Sequence, residues 1–145
     1  MISIGPLQPV DRLAWEALFG DYLAGYGRRL EAVWYERAWR EFMADARMHA
    51  LGARIDGRLI GIAQFLEQAS TSSADSCYLQ DLFTAQEARG QGVGRALIAA
   101  VTDWARAREC IRLHWLADAD NAPARRLYDA VAENSGLIRY EIELA

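Results

Sequence analysis

Arg89-Gly90-Gln91-Gly92-Val93-Gly94-Arg95 is the stretch of this sequence that decides the fold. It lies between an apolar segment predicted as a strand and the beginning of a long predicted helix. Glycine permits positive φ and lets the backbone approach a ligand closely, and the start of a helix presents unpaired N–H groups with a partial positive charge. The stretch therefore predicts a backbone site for a diphosphate, with Arg89 and Arg95 adding positive charge beside it.

Three glycine-rich phosphate motifs compete for this stretch. A P-loop requires Gly-Lys followed by Ser or Thr, and the chain contains no lysine. A dinucleotide-binding GxGxxG that begins at Gly90 would need glycine at position 95, which is Arg95. The pattern that remains is Arg-x-x-Gly-x-Gly, from Arg89 to Gly94.

Composition limits the class of protein around this motif. The chain has 145 residues, of which 52% are hydrophobic and 25% charged, so we expect one domain over residues 1–145 with a single core. All sixteen basic residues are arginine and twenty acidic residues outnumber them, which gives a net charge of -4. This balance argues against nucleic acid as a partner, because such binding depends on an excess of positive charge.

Cysteine usage and hydropathy point to a cytoplasmic protein. Cys77 and Cys110 are the only cysteines, and their spacing suggests neither a disulfide framework nor a zinc site. No run of about 18 apolar residues is present, so no membrane segment is predicted. We expect no metal.

Apolar periodicity and turn signals predict the element order β α α β β β α β α β. The Asp56-Gly57 dipeptide between two apolar runs is a strong hairpin signal. The predicted strands cover Ile2–Ile4, His49–Ile55, Arg58–Glu67, Cys77–Phe83, Ile111–Leu116 and Leu137–Leu144. The first predicted helix begins at about Asp11. The later predicted helices cover Leu30–Ala46, Val93–Arg106 and Asn121–Val131.

The predicted helix from Leu30 to Ala46 carries two apolar stripes. One stripe contains Val33, Trp34 and Phe42, and the other contains Tyr35, Trp39 and Met43. Two interpretations stay open. Both stripes face the core, or the aromatic stripe borders a substrate cleft or a subunit interface.

Three segments together resemble a known family. Tyr78–Thr84, Arg89–Leu97 and Asp120–Tyr128 resemble the acetyl-CoA-binding half of the GNAT N-acetyltransferases, in the branch of small histone and polyamine acetyltransferases. The resemblance is close over residues 78–143. It implies an α/β domain with a mixed, mostly antiparallel sheet, helices on both faces, and a splayed cleft that takes acetyl-CoA.

The resemblance also implies roles for individual residues. In the family, the strand before the glycine loop carries a bulge and leaves its backbone free for pantetheine, and an N–H near Leu82 polarises the thioester carbonyl. The implied cofactor-binding residues are Leu82, Phe83, Thr84, Arg89, Gly90, Gln91, Gly92, Val93, Gly94, Arg95 and Asn121. The implied catalytic residue is Tyr128, whose counterpart donates a proton to the departing CoA thiolate.

Two of these positions also have structural interpretations. Asn121 precedes a helix with Pro123 in its first turn, so it is a predicted N-cap as well as a candidate cofactor contact. Tyr128 lies seven residues later on the same helix face, where the alternative role is a core aromatic that packs with Leu127 and Val131. Because a thiolate leaving group gains from a phenol proton in a dry site, we favour the functional interpretation of Tyr128.

The general base is not identified by the sequence. The glutamate of the histone-directed branch falls on or near Ser76, which cannot serve. Asp81 lies next to the end of the strand before the glycine loop, and Glu67 and Asp118 lie near other strand ends. A carboxylate at such places is more often a surface charge, and a water chain is an equal alternative. His49 and His114 are interpreted as structural.

The function implied is transfer of an acetyl group from acetyl-CoA to a primary amine, on a small metabolite, a polyamine or a protein lysine. Direct attack in a ternary complex is expected. The alternative is a non-catalytic acyl-CoA-binding module, which would have no need of Tyr128. Five Trp and an apolar fraction of 52% in so short a chain favour a homodimer.

Overall fold

A computed structural model describes residues 1–145. One sheet contains five strands in the order β1-β2-β3-β4-β5, antiparallel except for the parallel pair of β4 and β5. The strands are β1 (Ile2–Pro6), β2 (His49–Ile55), β3 (Arg58–Gln68), β4 (Ser76–Thr84) and β5 (Leu113–His114). The helices are α1 (Arg12–Gly25), α2 (Ala32–Ala44), α3 (Val93–Ala107) and α4 (Ala122–Val131). The mixed α/β fold expected from the family resemblance is confirmed.

The central strand β3 is covered by helices on both faces. Every residue from Leu59 to Phe65 is buried, which is typical of a strand packed on two sides. On one face, the Trp15 indole of α1 donates a 2.7 Å hydrogen bond to the Gln64 side chain. On the other face, a Cβ added at Gly61 would lie 2.8 Å from Val93 Cγ1 at the start of α3. The small residue at position 61 therefore sets how closely α3 approaches the sheet.

Strand β4 carries the expected bulge and separates from β5. Its register with β3 shifts between Gln64 and Phe65, so that Gln80 has no partner opposite it. Its pairing with β5 is confined to Cys77 and Tyr78. From Leu79 onward one edge of β4 is therefore not covered by a strand, and this divergence opens a cleft.

The predicted hairpin is confirmed, and the second helix is shorter than predicted. Asp56 and Gly57 both have positive φ, 52° and 76°, as a tight hairpin turn requires. Helix α2 covers Ala32–Ala44 instead of Leu30–Ala46. It buries Trp39 from one stripe and Phe42 from the other, while Val33, Trp34 and Met43 are exposed and no residue of the helix lines the cleft described below.

Two strand predictions at the end of the chain are wrong. Strand β5 covers only Leu113–His114 instead of Ile111–Leu116, because the divergence from β4 leaves the flanking residues without a ladder. Residues Leu137–Leu144 form no strand and are exposed. Their alternation gives them the capacity to form a strand, but a strand also needs a partner edge, and the single chain pairs them with none.

None of the four helices has the length and apolar character needed to cross a membrane.

Candidate active site

A cleft of about 810 Å³ lies where β4 and β5 diverge. Its walls come from the end of α1, the end of β4, the glycine loop, the start of α3 and the face of α4. All the site residues predicted from the sequence line this cleft, except Gln91, which is exposed in the loop. The lining residues among them are Leu82, Phe83, Thr84, Arg89, Gly90, Gly92, Val93, Gly94, Arg95, Asn121 and Tyr128.

The backbone of β4 offers hydrogen-bonding groups to the cleft. The Ala85 N–H donates to the Ile60 carbonyl of β3, at 2.8 Å. Because backbone groups alternate sides along an antiparallel strand, Phe83 also faces β3, whereas Leu82 and Thr84 face away from it. The Arg89 Nε–H donates to the Thr84 carbonyl at 3.2 Å, in agreement with this orientation. The N–H and C=O groups of Leu82 therefore point toward the open edge.

The glycine loop forms a concave backbone surface at the start of α3. Gly90 and Gly92 have φ of 78° and 83°, and a Cβ added at either would meet no atom within 4 Å. The Ala96 N–H makes the first intrahelical hydrogen bond, to the Gly92 carbonyl. The N–H groups of residues 93–95 thus have no partner within the helix, which is the arrangement that binds anions at helix N-termini.

Helix α4 closes the cleft on the opposite side from β4. Asn121 caps the helix, with its Oδ1 accepting a 3.4 Å hydrogen bond from the Ala124 N–H, so the predicted N-cap is confirmed. A Cβ added at Gly94 would lie 3.0 Å from Leu127 Cδ2. The glycine at position 94 therefore lets α4 approach the start of α3 closely.

Tyr128 occupies a partly buried position in this wall. Its ring packs edge-on against Trp115, with 5.4 Å between centroids. Burial raises the pKa of the Tyr128 phenol, and the neighbouring Tyr26 adds to the effect. The phenol is thus held in its protonated form, able to donate a proton or a hydrogen bond.

Two tyrosines at the end of α1, Tyr22 within it and Tyr26 at its C-cap, line the cleft and were missed by the sequence analysis. The rings of Tyr22 and Tyr26 are 5.2 Å apart, and Tyr22 also packs edge-on against Phe83 at 5.7 Å. The spacing of four residues near the end of a helix, followed by Gly27, was a signal that one helix face carries two hydroxyls. Nothing in that spacing indicated that this face borders the cleft.

Asp81 is a shielded carboxylate, and the expectation of a surface charge is wrong. Gln64 Nε2 donates to Asp81 Oδ2 at 2.8 Å. Burial raises the pKa of Asp81, while Gln64 and the nearby Tyr22 hydroxyl oppose the rise. The carboxylate also raises the pKa of Tyr22, whose largest cause is burial.

The histidines lie outside the cleft, as expected for structural residues. The buried His49 places Nδ1 2.6 Å from Asp45 Oδ1 and packs against Trp104. His114 Nε2 lies 3.1 Å from Gln68 Oε1. Neither ring is among the cleft-lining residues.

The family model of the acetyltransferase (GNAT) family matches residues 10–132 of this chain. The chain belongs to the GNAT acetyltransferase family. It is an N-acetyltransferase, since its curated relatives carry that activity in their names and its fold is that of the family. The match includes the cleft, the glycine loop and α4, and it confirms the resemblance drawn from residues 78–143.

Two relatives illustrate the range within this family. The chain is 26% identical over 145 residues to D-amino-acid N-acetyltransferase HPA3 of Saccharomyces cerevisiae, covering 97% of this chain and 89% of that protein. It is 31% identical over 108 residues to aminoglycoside N(6')-acetyltransferase type 1 of Serratia marcescens, covering 70% and 74%. The named acceptors of these relatives differ, so family membership leaves the acceptor open.

A solved structure agrees with the fold over the whole chain. The aminoglycoside acetyltransferase AAC(6')-Iy, in complex with the bisubstrate analogue CoA-S-monomethyl-acetylneamine, superposes with a TM-score of 0.87 at 18% identity. The superposition covers 100% of this chain and 99% of the other. At this identity the comparison establishes the shared fold.

Proposed function

We propose that this N-acetyltransferase takes its acetyl group from acetyl-CoA and transfers it to a primary amine by direct attack within a ternary complex. The observation that carries the proposal is the meeting of three features in one cleft: the glycine loop, the open edge of β4, and Tyr128. One continuous core of 23 buried residues supports a single catalytic domain over residues 1–145.

The residues of the cleft fit the groups that acetyl-CoA presents. A diphosphate needs concentrated N–H donors and positive charge, which the N–H groups of residues 93–95 and the side chains of Arg89 and Arg95 supply. An amide-containing pantetheine arm can pair with an exposed strand edge, which Leu82 and Thr84 offer. Asn121 borders the same cleft. When bound, acetyl-CoA supplies an activated acyl group as a thioester.

Leu82 and Tyr128 act on charge that appears during transfer. The Leu82 N–H stabilises negative charge on the acyl oxygen, as an oxyanion donor does. The Tyr128 hydroxyl gives its proton to the departing thiolate sulfur. Both interactions are stronger in the transition state than with bound reactants, which is the condition for accelerating the chemical step.

The cleft carries charges of both signs. Arg89, Arg95 and Arg126 suit the phosphates of acetyl-CoA, while Asp21 and Asp118 offer negative charge to the ammonium group of an acceptor. Relatives named for D-amino acids and aminoglycosides act on small polar molecules that carry primary amines. These observations support a small polar amine in preference to a protein lysine.

The Tyr22–Asp81 pair provides a route for the amine's proton. An ammonium must lose a proton before its nitrogen can attack. Tyr22 lines the cleft, and its hydroxyl and the Asp81 carboxylate are close enough to shift each other's pKa, so the hydroxyl can accept the amine proton as its own proton passes to the carboxylate. The raised pKa of Asp81 makes this carboxylate a better proton acceptor than an exposed aspartate.

An amine panel tests the proposal directly. Spermidine, amino acids of both configurations, an aminoglycoside and basic peptides are each mixed with enzyme and acetyl-CoA, and free thiol is measured over time. The proposal predicts thiol release that depends on the concentration of at least one small amine, with acetylated amine as the product. Tight acetyl-CoA binding with no amine-dependent release would favour the non-catalytic acyl-CoA-binding module instead.

A further inference from the structure

A chain of polar side chains leads from the core to Asp81. The Trp15 indole Nε1–H donates to Gln64 Oε1 at 2.7 Å, and Gln64 Nε2 donates to Asp81 Oδ2 at 2.8 Å. Trp15 and Gln64 are buried, with 0% and 1% of their surface exposed. Apolar side chains are the usual occupants of such positions. A buried glutamine with both ends of its amide engaged therefore calls for an explanation.

The Trp15 indole determines which way round the Gln64 amide lies. An indole N–H can only donate, so it requires the amide oxygen of Gln64. The NH₂ group is thereby directed at Asp81, where a donor favours the charged form of the carboxylate. A flipped amide would set donor against donor at Trp15 and acceptor against acceptor at Asp81. The core thus fixes both the place of Asp81 Oδ2 and the protonation state that it favours.

The bulge in β4 brings Asp81 to this amide. Residues two apart along a regular strand share a face. Leu79 lies opposite Phe65, however, and Asp81 lies opposite Gln64. Phe65 packs edge-on against Trp104 of α3, with 4.9 Å between ring centroids, whereas Gln64 contacts α1. The extra residue of the bulge therefore turns Asp81 from the α3 face of the sheet to the α1 face.

Tyr22 connects this carboxylate with the cleft. Its ring packs edge-on against Phe83, two residues after Asp81 on β4, and it lines the cleft. Asp81 itself does not line it. Burial raises the pKa of Tyr22, and the Asp81 carboxylate raises it further, as expected for neighbouring groups. A proton from the cleft would therefore reach Asp81 through the Tyr22 hydroxyl.

We propose that Gln64 is a positioning residue for proton transfer, a role that rests on the proposed function. Its amide holds one oxygen of the Asp81 carboxylate in the charged form and leaves the other oxygen to take up a proton. In this transfer an N–H bond of the ammonium breaks, the Tyr22 hydroxyl takes that proton as it releases its own, and an O–H bond forms at Asp81. The neutral amine that remains is the nucleophile.

Several groups act on the charge of Asp81. Burial has the largest effect and raises the pKa of Asp81, whereas Gln64 from β3, Tyr22 from α1 and Arg28 from the segment after α1 lower it. Tyr26 acts in turn on the neighbouring Tyr22. Arg28 is exposed, so solvent and salt screen its effect. Loss of the buried Gln64 donor should therefore raise the pKa of Asp81.

Gln64→Met and its control Gln68→Met test this role. Methionine has a similar volume but no N–H donor, and Gln68 lies on the same strand outside the cleft lining. Carboxyl ¹³C NMR on the full chain gives the titration midpoint of Asp81, whose signal is the one lost in Asp81→Asn. We expect the midpoint to rise by about one pH unit in Gln64→Met and to stay unchanged in Gln68→Met.

The pH profile of acetyl transfer is the second measurement. If Asp81 must be charged to receive the amine proton, the acid limb of kcat/KM follows its pKa. We expect this limb to move to higher pH in Gln64→Met by the same amount as the midpoint. A merely structural role of Gln64 would lower the rate at every pH and leave the limb in place.

A double variant keeps the test open if Gln64→Met does not fold. The single substitution leaves the buried Trp15 N–H without an acceptor, which is destabilising. Trp15→Phe combined with Gln64→Met removes donor and acceptor together, and we expect the same rise in the Asp81 midpoint. Far-UV circular dichroism checks the fold of each variant.

An Asp81 midpoint that does not rise, or that rises equally in Gln68→Met, would overturn the role of Gln64. A limb of kcat/KM that stays in place while the midpoint rises would also overturn it, since Asp81 would then not receive the amine proton. Both results leave acetyl transfer itself intact. An absence of amine-dependent thiol release would instead refute the proposed function, while the midpoint, measured without amine, would still decide whether Gln64 holds the carboxylate.

Discussion

Burial raises the pKa of two residues that bear on the reaction: Tyr128, which lines the cleft, and Asp81, which does not. Burial keeps the Tyr128 phenol protonated, because it raises the pKa above that of a free tyrosine. The same effect at Asp81 makes a carboxylate that takes up a proton more readily than usual. Tyr128 lines the cleft as a proton donor, whereas Asp81 does not line it and would take up a proton through Tyr22, which does.

The Tyr128 hydroxyl is testable by removing one oxygen atom. Tyr128→Phe keeps the ring that packs against Trp115, so we expect acetyl-CoA affinity to change less than threefold. Loss of a positioned proton donor is worth about 10²-fold or more in rate, so thiol release at saturating amine should fall by that order. Tyr35→Phe, which removes a hydroxyl outside the cleft lining, is the control and should retain the wild-type rate. An unchanged rate in Tyr128→Phe would remove the proton-donor role.

We expect the buried charge of Asp81 to lower the free energy of unfolding, and we expect its carboxylate to be necessary for the rate of acetyl transfer. Its pKa is raised in the folded state, so the protein favours the protonated form, and stability is lost as the pH rises from the ordinary value of 3.8 through the raised value. Asp81→Asn keeps an acceptor for the Gln64 amide without the charge. We therefore expect the variant to gain thermal stability relative to wild type as the pH rises from 4 to 7, while acetyl transfer slows about 10²-fold.

Asp11→Asn is the matched control for that stability measurement. The Asp11 carboxylate pairs with Arg54 and accepts the Gln8 N–H at 2.7 Å. Loss of the charge leaves Arg54 without its partner, which costs about 1–3 kcal/mol of unfolding free energy at pH 7. If Asp81→Asn were destabilised at pH 7 to the same extent, the cost of burying the Asp81 charge would be refuted.

Among the secondary-structure elements, the packing of α3 on the sheet depends on the small residue that β3 presents to it at position 61. Gly61→Ala would place a Cβ 2.8 Å from Val93 Cγ1 and 3.3 Å from the Phe83 carbonyl oxygen. Because Val93 begins α3, we expect this change to lower unfolding free energy by about 1–3 kcal/mol and to weaken acetyl-CoA binding. Urea denaturation and calorimetry measure the two effects.

Gly5→Ala makes the same substitution in β1, where an added Cβ meets no atom within 4 Å. We expect its unfolding free energy to stay within about 0.5 kcal/mol of wild type, because no neighbour must move. Equal effects of the two substitutions would show that loss of glycine from a strand, and not the packing of α3, is what matters.

The elements that local sequence specifies were predictable, whereas their long-range partners were not. The Asp56-Gly57 turn and the Asn121 cap are set by neighbouring residues, and both formed as predicted. The strand predicted over residues 137–144 is wrong, because alternation of apolar and polar residues specifies which face of a strand is buried and leaves its partner strand unspecified. Tyr22 was missed as a cleft residue for a similar reason, since its position depends on the packing of α1 against β4.

For the molecule as a whole, one cleft that holds both reactants predicts sequential kinetics. A covalent acyl-enzyme would need a reactive thiolate, but burial raises the pKa of Cys77 to about 12 and also raises that of Cys110. Neither cysteine lines the cleft. We expect double-reciprocal plots against acetyl-CoA, at several fixed amine concentrations, to intersect, and we expect Cys110→Ser to retain activity. Parallel lines would indicate a covalent intermediate.

The claim on which the whole mechanism depends is that the backbone turn before α3 holds the diphosphate of acetyl-CoA. Calorimetry with acetyl-CoA on wild type, Gly92→Val and Gly57→Val tests it most directly, because both glycines have positive φ, 83° and 76°, and only Gly92 lines the cleft. Each substitution should cost about 1–2 kcal/mol in unfolding free energy. We predict micromolar binding, about -8 kcal/mol, for wild type and Gly57→Val, and no measurable binding for Gly92→Val. Unchanged affinity in folded Gly92→Val would contradict the account.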